Sequence, residues 1–248
     1  MDIPRIFTVA ESAHRIHNPF TPEKYATLGR VLRLEPETRV LDLGSGSGEM
    51  LCTWARDHQI VGAGVDMSRL FSEQAECRAV ELGVADRVRF IHADAAGYVA
   101  EEKVGVAACV GATWIGGGVK GTVELLTKSL SDDGIILIGE PYWLKVPPNE
   151  DVAKGCGATA ISDFLTLPEL MVSFERLGYD VVEMVLADVE GWDRYSAAMW
   201  LTMRKWLKAN PDEDFAQEVR THLNSEPLRY VTYTREHLGW GVFVLMKR

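Results

Sequence analysis

Val40-Leu41-Asp42-Leu43-Gly44-Ser45-Gly46-Ser47-Gly48 is the stretch on which the fold of this chain turns. An apolar strand runs into an acid and then into three glycines at every second position, which is the pattern of a loop that carries a nucleotide-containing cofactor. Glycine at 44, 46 and 48 removes three Cβ atoms where the chain must pass from strand to helix, so the backbone can approach a bound ligand closely. Residues 49–57 then read as the helix whose N-terminus faces that ligand. On this reading the protein is an enzyme.

The spacing selects among cofactors. A dinucleotide fingerprint wants glycines as G-x-G-x-x-G, with a helix N-terminus free to meet a pyrophosphate. Here Glu49 stands where the third glycine of that pattern belongs, and Asp42 lies two residues ahead of the first. Carboxylates at these places repel pyrophosphate and suit a cationic ligand. The run resembles the first motif of class I S-adenosylmethionine-dependent methyltransferases, whose cofactor carries an ammonium and a sulfonium. The resemblance implies an α/β fold: a Rossmann-like, seven-stranded, doubly wound sheet of order 3-2-1-4-5-7-6, with the last strand antiparallel and a helical cap inserted. It makes Asp42, Gly44, Ser45, Gly46 and Gly48 cofactor-binding residues.

Further landmarks follow in the family's order. Val61-Gly62-Ala63-Gly64-Val65-Asp66 is a second short apolar strand closed by an acid, 18 residues past Gly48. A carboxylate there accepts hydrogen from both ribose hydroxyls. The resemblance makes Asp66 the leading ligand, with Met67 beside it, and Asp66→Ala is expected to weaken cofactor binding while leaving the fold intact. Arg87-Val88-Arg89-Phe90-Ile91-His92-Ala93-Asp94-Ala95 is a third strand closed by an acid, where Asp94 and the Ala95 amide take the family's adenine-reading role. The fourth strand, 104–111, is apolar on both faces, as a central parallel strand is, and ends with Gly111 at the cofactor. Ser131-Asp132-Asp133-Gly134 matches the family's turn into its fifth strand, and Glu140-Pro141-Tyr142-Trp143 follows at the carboxyl end. The resemblance covers residues 38–185 and resumes at 240–247.

A glycine loop by itself is often only a tight turn, and Asp is common at helix caps. Three strand ends in order, each closed by an acid, carry the stronger reading. With 248 residues, 47% hydrophobic and 25% charged, the chain reads as a single domain over 1–248. Its parts are an N-terminal helical segment (1–35), a cofactor-binding core (36–187), a helical lid insertion (188–239) and a final strand (240–248). A net charge of −10 disfavours nucleic acid as a partner, and the fourth strand lacks the Pro-Pro-aromatic ending of amino-methylating DNA enzymes. Val146-Pro147-Pro148-Asn149 reads as a rigid loop. Cys52, Cys77, Cys109 and Cys156 form no C-x-x-C pair, so neither a metal site nor a disulfide frame is expected. No secretion signal opens the chain and no uncharged apolar run reaches about 18 residues. A cytoplasmic location without membrane insertion is expected; the oligomeric state is not legible.

The segments outside the core should choose the substrate. Thr21-Pro22-Glu23-Lys24 starts a helix, with Tyr25, Leu28, Val31 and Leu32 as its apolar stripe, expected across the sheet's open edge. Before it, His14-Arg15-Ile16-His17-Asn18-Pro19-Phe20 concentrates polar side chains. In related small-molecule methyltransferases such a segment folds over the cofactor, so Arg15 is expected at the methionyl carboxylate and His17 at the substrate. The sixth and last strands read as 181–187 and 241–246, with about fifty residues between them. Asp193 is read as the cap of a helix carrying Tyr195, Met199, Trp200, Met203, Trp206 and Leu207. Asn210-Pro211-Asp212-Glu213 is read as a capping box opening a second helix, and 227–237 as a third, ended by Gly239. Trp200 and Trp206 are assigned to packing, while Trp192, Tyr195, Tyr230 and Tyr233 are assigned to a pocket wall under a lid that encloses a small molecule.

The implied chemistry is in-line attack by a substrate nucleophile on the sulfonium methyl. Alignment alone supplies about 7 to 11 kcal/mol of barrier reduction in such reactions, so a general base matters only for a protonated nucleophile. Glu140 and His17 are the candidates; Tyr142 and Trp143 would hold a cationic or aromatic group. Two rivals remain: an S-adenosylmethionine-binding protein without transferase activity, and an NAD-dependent oxidoreductase, which the glycine spacing and Asp42 oppose. An aminopropyl transferase would bring an acid-rich polyamine pocket, for which the sequence carries no signature. The sequence identifies the donor of the methyl group and leaves the acceptor open.

Overall fold

The apolar runs of the glycine-loop region become the middle of a sheet. In the computed structural model, which describes residues 3–248, seven strands form one sheet. They are β1 (Arg39–Leu43), β2 (Val61–Asp66), β3 (Val88–His92), β4 (Val104–Val110), β5 (Leu130–Trp143), β6 (Tyr179–Leu186) and β7 (Leu238–Lys247). Their order is β3-β2-β1-β4-β5-β7-β6, parallel from β3 through β5, with β7 antiparallel to both β5 and β6. This is the expected fold class. The chain order reverses between β1 and β4, and in open α/β sheets ligands bind beyond the carboxyl ends of the strands at that switch.

Helices cover both faces. Thr21 caps α2 (Pro22–Val31) by accepting from the Lys24 amide, with Pro22 at the first position. Gly48, in the left-handed region at φ 70°, opens α3 (Glu49–His58). Ser68 caps α4 (Arg69–Glu81). Then come α5 (Val119–Thr127), α6 (Glu150–Gly155) and α7 (Leu167–Arg176). One face of the sheet buries Leu28, Val40, Leu51, Trp54, Val106 and Val242; the other buries Leu41, Leu43, Val65, Val123, Leu126 and Phe243. α2 lies on α3 and reaches the edge strand β6, with the Trp54 indole donating to the Tyr25 carbonyl at 3.1 Å.

A third, smaller core matters most for the site. It joins Val9 and Ala10 of α1 (Arg5–Glu11) to Met203 and Leu207 of α8 (Val189–Ala209) and to Ala216 and Val219 of α9 (Ala216–Arg229). The front of the chain and the 188–239 segment thus pack on one another above the strand ends.

Several expectations about element boundaries are corrected. Residues 131–134 do not turn out of the sheet. Leu130 faces Val104 and Ile135 faces Val106, so β5 bulges and continues. It also runs on through Glu140 to Trp143, because β7 pairs with it as far as Leu238. Beyond Gly139 it has left β4, and proline is tolerated where a strand has a neighbour on one side only. In the insertion, Asp188 rather than Asp193 caps α8, accepting from the Gly191 amide at 2.7 Å. Asp193 lies inside the helix and accepts from the Tyr230 hydroxyl (2.7 Å) and Arg235 Nε (2.9 Å). α9 starts at Ala216, after turns at 211–215, and Pro227 sits within it. The missing proline N–H breaks the regular ladder, which continues as a π segment, Tyr230–Thr234, into α10 (Arg235–His237). Gly239 is a β7 residue, where an added Cβ would meet the Tyr142 ring at 2.4 Å.

Candidate functional site

The glycine loop leaves β1 with Gly44, Gly46 and Gly48 all at positive φ (80°, 52° and 70°). Its amides are largely spent inside the protein. Gly44 and Ser45 donate to the Val65 carbonyl (2.8 and 3.2 Å), Gly48 to the Ser45 carbonyl (3.0 Å), and Gly46 to Asp66 Oδ2 (2.8 Å). The first turn of α3 carries Glu49, nine-tenths buried and held by Arg78 through two contacts of 2.8 Å. A loop whose donors are satisfied, next to a helix start that already bears a carboxylate, offers little to a pyrophosphate. It offers close backbone and negative charge.

That charge is centred on Asp42. The side chain is 3% exposed, and its Oδ1 is buried with no hydrogen-bond partner. Burial, and then the nearby Asp66 carboxylate, push its carboxyl up to about 7. Asp42 lines a small cavity with Asn18, Tyr25, Gly44, Glu49 and Arg15. An orphaned acceptor facing a cavity calls for a donor or a cation, and an amino-acid ammonium supplies both. The residues present therefore fit the expected cofactor at its charged end. A second cavity adjoins the first across Gly44, Gly46 and His17, and is lined by Asp66, Met67, Phe71, Ala95, Gly111 and Ile115. A larger crevice at the opposite, amino ends of the strands, lined by Arg39, Arg87 and Arg89, lies away from the switch point.

The structure brings most of the sequence-read residues to these two cavities and alters several roles. Asp66 closes β2, but its carboxylate is also structural: Oδ2 takes the Gly46 amide and Oδ1 the Ser68 amide, each at 2.8 Å. It pins the glycine loop and the start of α4 together, so Asp66→Ala cannot leave the local fold untouched. Ala95 is buried on the second cavity, whereas Asp94 is exposed beyond the end of β3, its Oδ1 accepting from the Ala96 amide at 2.8 Å. Arg15 reaches the first cavity's rim, where its guanidinium pairs with Glu81 at 3.0 Å.

His17 separates the two cavities. Its ring lies against Gly46, where an added Cβ would sit 2.5 Å from His17 Cδ2, and stacks at 4.1 Å on Phe71. Nδ1 is 3.0 Å from Glu11 Oε2 and Nε2 is 2.8 Å from Ser47 Oγ. With neither ring nitrogen free, the general-base role read for His17 does not fit this arrangement. Glu140 is 9% exposed on β5, accepts from the Thr113 hydroxyl at 2.6 Å, and is pushed up to about 7 by burial. Tyr142 and Trp143 are not pocket residues. Tyr142 packs in the core over Gly239, and Trp143 is 3% exposed, its indole donating to the Ile161 carbonyl at 2.7 Å and its ring meeting Phe164 edge-on. Both belong to an extended β5, and their rings serve the helices beside it. Trp192 and Tyr195 lie edge to face at 6.2 Å on α8. The Trp192 indole nitrogen is buried without a partner, and the Tyr195 hydroxyl donates to Glu11 Oε1 at 2.6 Å.

Sequence reasoning passed over Glu11, Ser47, Asn18 and Phe7, all of which meet at or beside the cavities. Ser47 was visible as one of the two serines set between the glycines of the loop. Glu11 had no signal, because no local period links it to its partners. Among the described residues no group of three or more His, Cys, Asp or Glu is arranged to hold a metal ion. No helix there is long and apolar enough to cross a membrane.

Comparison with known proteins agrees with this geometry. A family profile described as a methyltransferase domain matches residues 40–134, from β1 into β5. A SAM-dependent methyltransferase from Geobacter sulfurreducens, solved in complex with S-adenosyl-L-homocysteine, is 74% identical; the match covers 100% of this chain and 99% of that one, with a TM-score of 0.98. A SAM-dependent methyltransferase from Thiobacillus denitrificans, also solved with S-adenosyl-L-homocysteine, is 70% identical over 100% of both chains, with a TM-score of 0.98. The uncharacterized protein YjhP of Escherichia coli K12 is 71% identical over 100% of both chains.

Proposed function

Because the chain belongs to the class I S-adenosylmethionine-dependent methyltransferases, we propose that it transfers a methyl group from S-adenosylmethionine to a small-molecule acceptor. The observation that carries the reading is the unpartnered Asp42 carboxylate in a cavity walled on one side by the chain's own front segment, Arg15 to Asn18. When bound, the cofactor supplies an electrophilic methyl on a positively charged sulfur. Asp42 takes the ammonium, and Arg15 the methionyl carboxylate after leaving Glu81. Asp66 accepts from the ribose hydroxyls with the lone pairs its two amide contacts leave free, beside Met67. Asp94 and the Ala95 amide read the adenine, and Gly44, Ser45, Gly46, Gly48 and Gly111 let backbone lie against the ligand.

Glu140 is the residue proposed to take a proton from an acceptor that arrives protonated. A carboxyl near neutrality, buried and held on one side by Thr113, is suited to that exchange. Trp192 and Tyr195 would line the acceptor side, and the covered site disfavours nucleic acid or another macromolecule as substrate. The test is to incubate the protein with methyl-labelled S-adenosylmethionine and a whole-cell extract, separate the products by ultrafiltration, and resolve the filtrate from unreacted donor by chromatography. Label is expected in a new small-molecule product of the filtrate; product label confined to the macromolecular retentate would overturn the small-molecule reading.

A further inference from the structure

Glu11 ends α1 with a side chain that is wholly buried. A carboxylate is costly in such a place unless its oxygens are used. Oε1 accepts from the Tyr195 hydroxyl of α8 at 2.6 Å, and Oε2 from His17 Nδ1 at 3.0 Å. The second ring nitrogen, Nε2, meets Ser47 Oγ on the glycine loop at 2.8 Å.

The donors along this chain can be assigned in order. The Gln74 amide nitrogen donates to the Ser12 carbonyl at 2.8 Å, which turns Gln74 Oε1 toward Ser47. Ser47 gives its single hydrogen to that oxygen at 2.7 Å, so it must accept from His17. Both ring nitrogens of His17 then donate, one to the loop and one to the Glu11 carboxylate. His14 is the other titratable group beside Glu11. Its Nδ1 stands 3.5 Å from Oε2, outside hydrogen-bond geometry, and its Nε2 faces the Tyr195 carbonyl at 3.4 Å.

Two elements far apart in sequence therefore meet at one carboxylate, the front segment and the α8 cap, and His17 carries the tie on to the glycine loop. The front segment also contributes Phe7, His17 and Asn18 to the cavities that hold Asp42 and Asp66. We propose that Glu11 is a positioning residue that clasps this segment shut over the bound cofactor and so sets the rate at which cofactor product leaves. The proposal rests on the reading of the glycine loop as the cofactor site. Release requires the segment to lift, and lifting it breaks the charge-assisted bond that Glu11 accepts from Tyr195 and parts Ser47 from His17, whose ring Glu11 holds from within the segment.

The test is the dissociation rate of S-adenosylhomocysteine by stopped flow, beside the melting temperature, for the wild type, Glu11→Gln and Val123→Ala. Glu11→Gln keeps the shape and removes the charge. Its expected effect is release about tenfold faster or more, the equivalent of one charged hydrogen bond. Val123→Ala, in the core on the far face of the sheet, should lower the melting temperature and leave release unchanged. Wild-type release from Glu11→Gln, or equally faster release from both variants, would overturn the clasp while the cofactor reading stands. A wild type that binds no S-adenosylhomocysteine would remove that reading, and the clasp with it. If Glu11→Gln does not fold, Tyr195→Phe deletes one of the two ties; about threefold faster release is expected, and an unchanged rate would overturn the proposal.

Discussion

Asp42 is a carboxylate kept against its own solvation. It gains nothing from the protein at Oδ1, and burial and Asp66 both oppose its charge. Asp42→Asn should therefore stabilise the free protein, by about 1–3 kcal/mol if the amide finds partners, while weakening S-adenosylhomocysteine binding in calorimetry tenfold or more. Loss of both stability and affinity would mean that the carboxylate is satisfied in a way its surroundings do not suggest. Asp66 behaves oppositely, since its oxygens hold the Gly46 and Ser68 amides. Asp66→Ala should lose affinity and also roughly 1–3 kcal/mol of stability, seen as a lower melting temperature. Both acids were legible because an acid closing an apolar strand leaves a signature within one short window. The structural half of the Asp66 role was not, because the loop it pins lies 20 residues earlier. Glu11 was invisible for the same reason: Tyr195 is 184 residues away, and side-chain hydrogen bonds over such spans leave no periodic trace.

Elements governed by backbone geometry were read well, and those governed by packing were not. The turn from β1 to α3 needs φ above zero three times within five residues, and only glycine takes that at little cost, so the loop shows in the sequence. Gly48 adds a packing reason. A Cβ there would lie 2.5 Å from Phe90 Cζ on β3 and 2.8 Å from the Ala75 Cβ on α4. Gly48→Ala should cost roughly 2–4 kcal/mol from overpacking and left-handed strain together. Differential scanning calorimetry should then show melting several degrees lower; an unchanged melting temperature would mean that β3 and α4 can part without loss. In the insertion, Asp193, Asn210 and Pro227 looked like helix starts. Tertiary contacts decided otherwise: Asp188 follows β6 directly and caps first, while Tyr230 and Arg235 draw Asp193 into a clamp between α8 and the π segment. The same holds at residues 131–134, where pairing with β4 at Leu130 and again at Ile135 carries four turn-forming residues through as a bulge.

For the whole molecule, Asp42 and Glu140 set how stability follows pH. Both carboxyls rise in the folded state, from 3.8 and 4.5 to about 7, chiefly through burial. Between those limits the native protein holds protons that the unfolded chain has released, so stability falls as pH rises toward about 7 and levels off above it. Acids with lowered values, such as Glu81 and Asp193 beside their arginines, act the other way, but they are exposed and finish titrating at lower pH. The free protein should thus melt at a lower temperature at pH 7 than at pH 5.5. Ligand adds an opposing dependence. An ammonium at Asp42 needs the ionised carboxylate, which is fully available only above about 7 and must be deprotonated at a cost below it. At a hundredfold excess over its dissociation constant a ligand adds about 2.7 kcal/mol, or roughly 5–10 °C for a chain of this size. At one fixed S-adenosylhomocysteine concentration, the melting-temperature gain should be larger at pH 8 than at pH 5.5, and the difference should vanish in Asp42→Asn. An equal gain at both pH values in the wild type would mean that the ammonium lies elsewhere, and the assignment of Asp42 to the cationic end of the cofactor would fall.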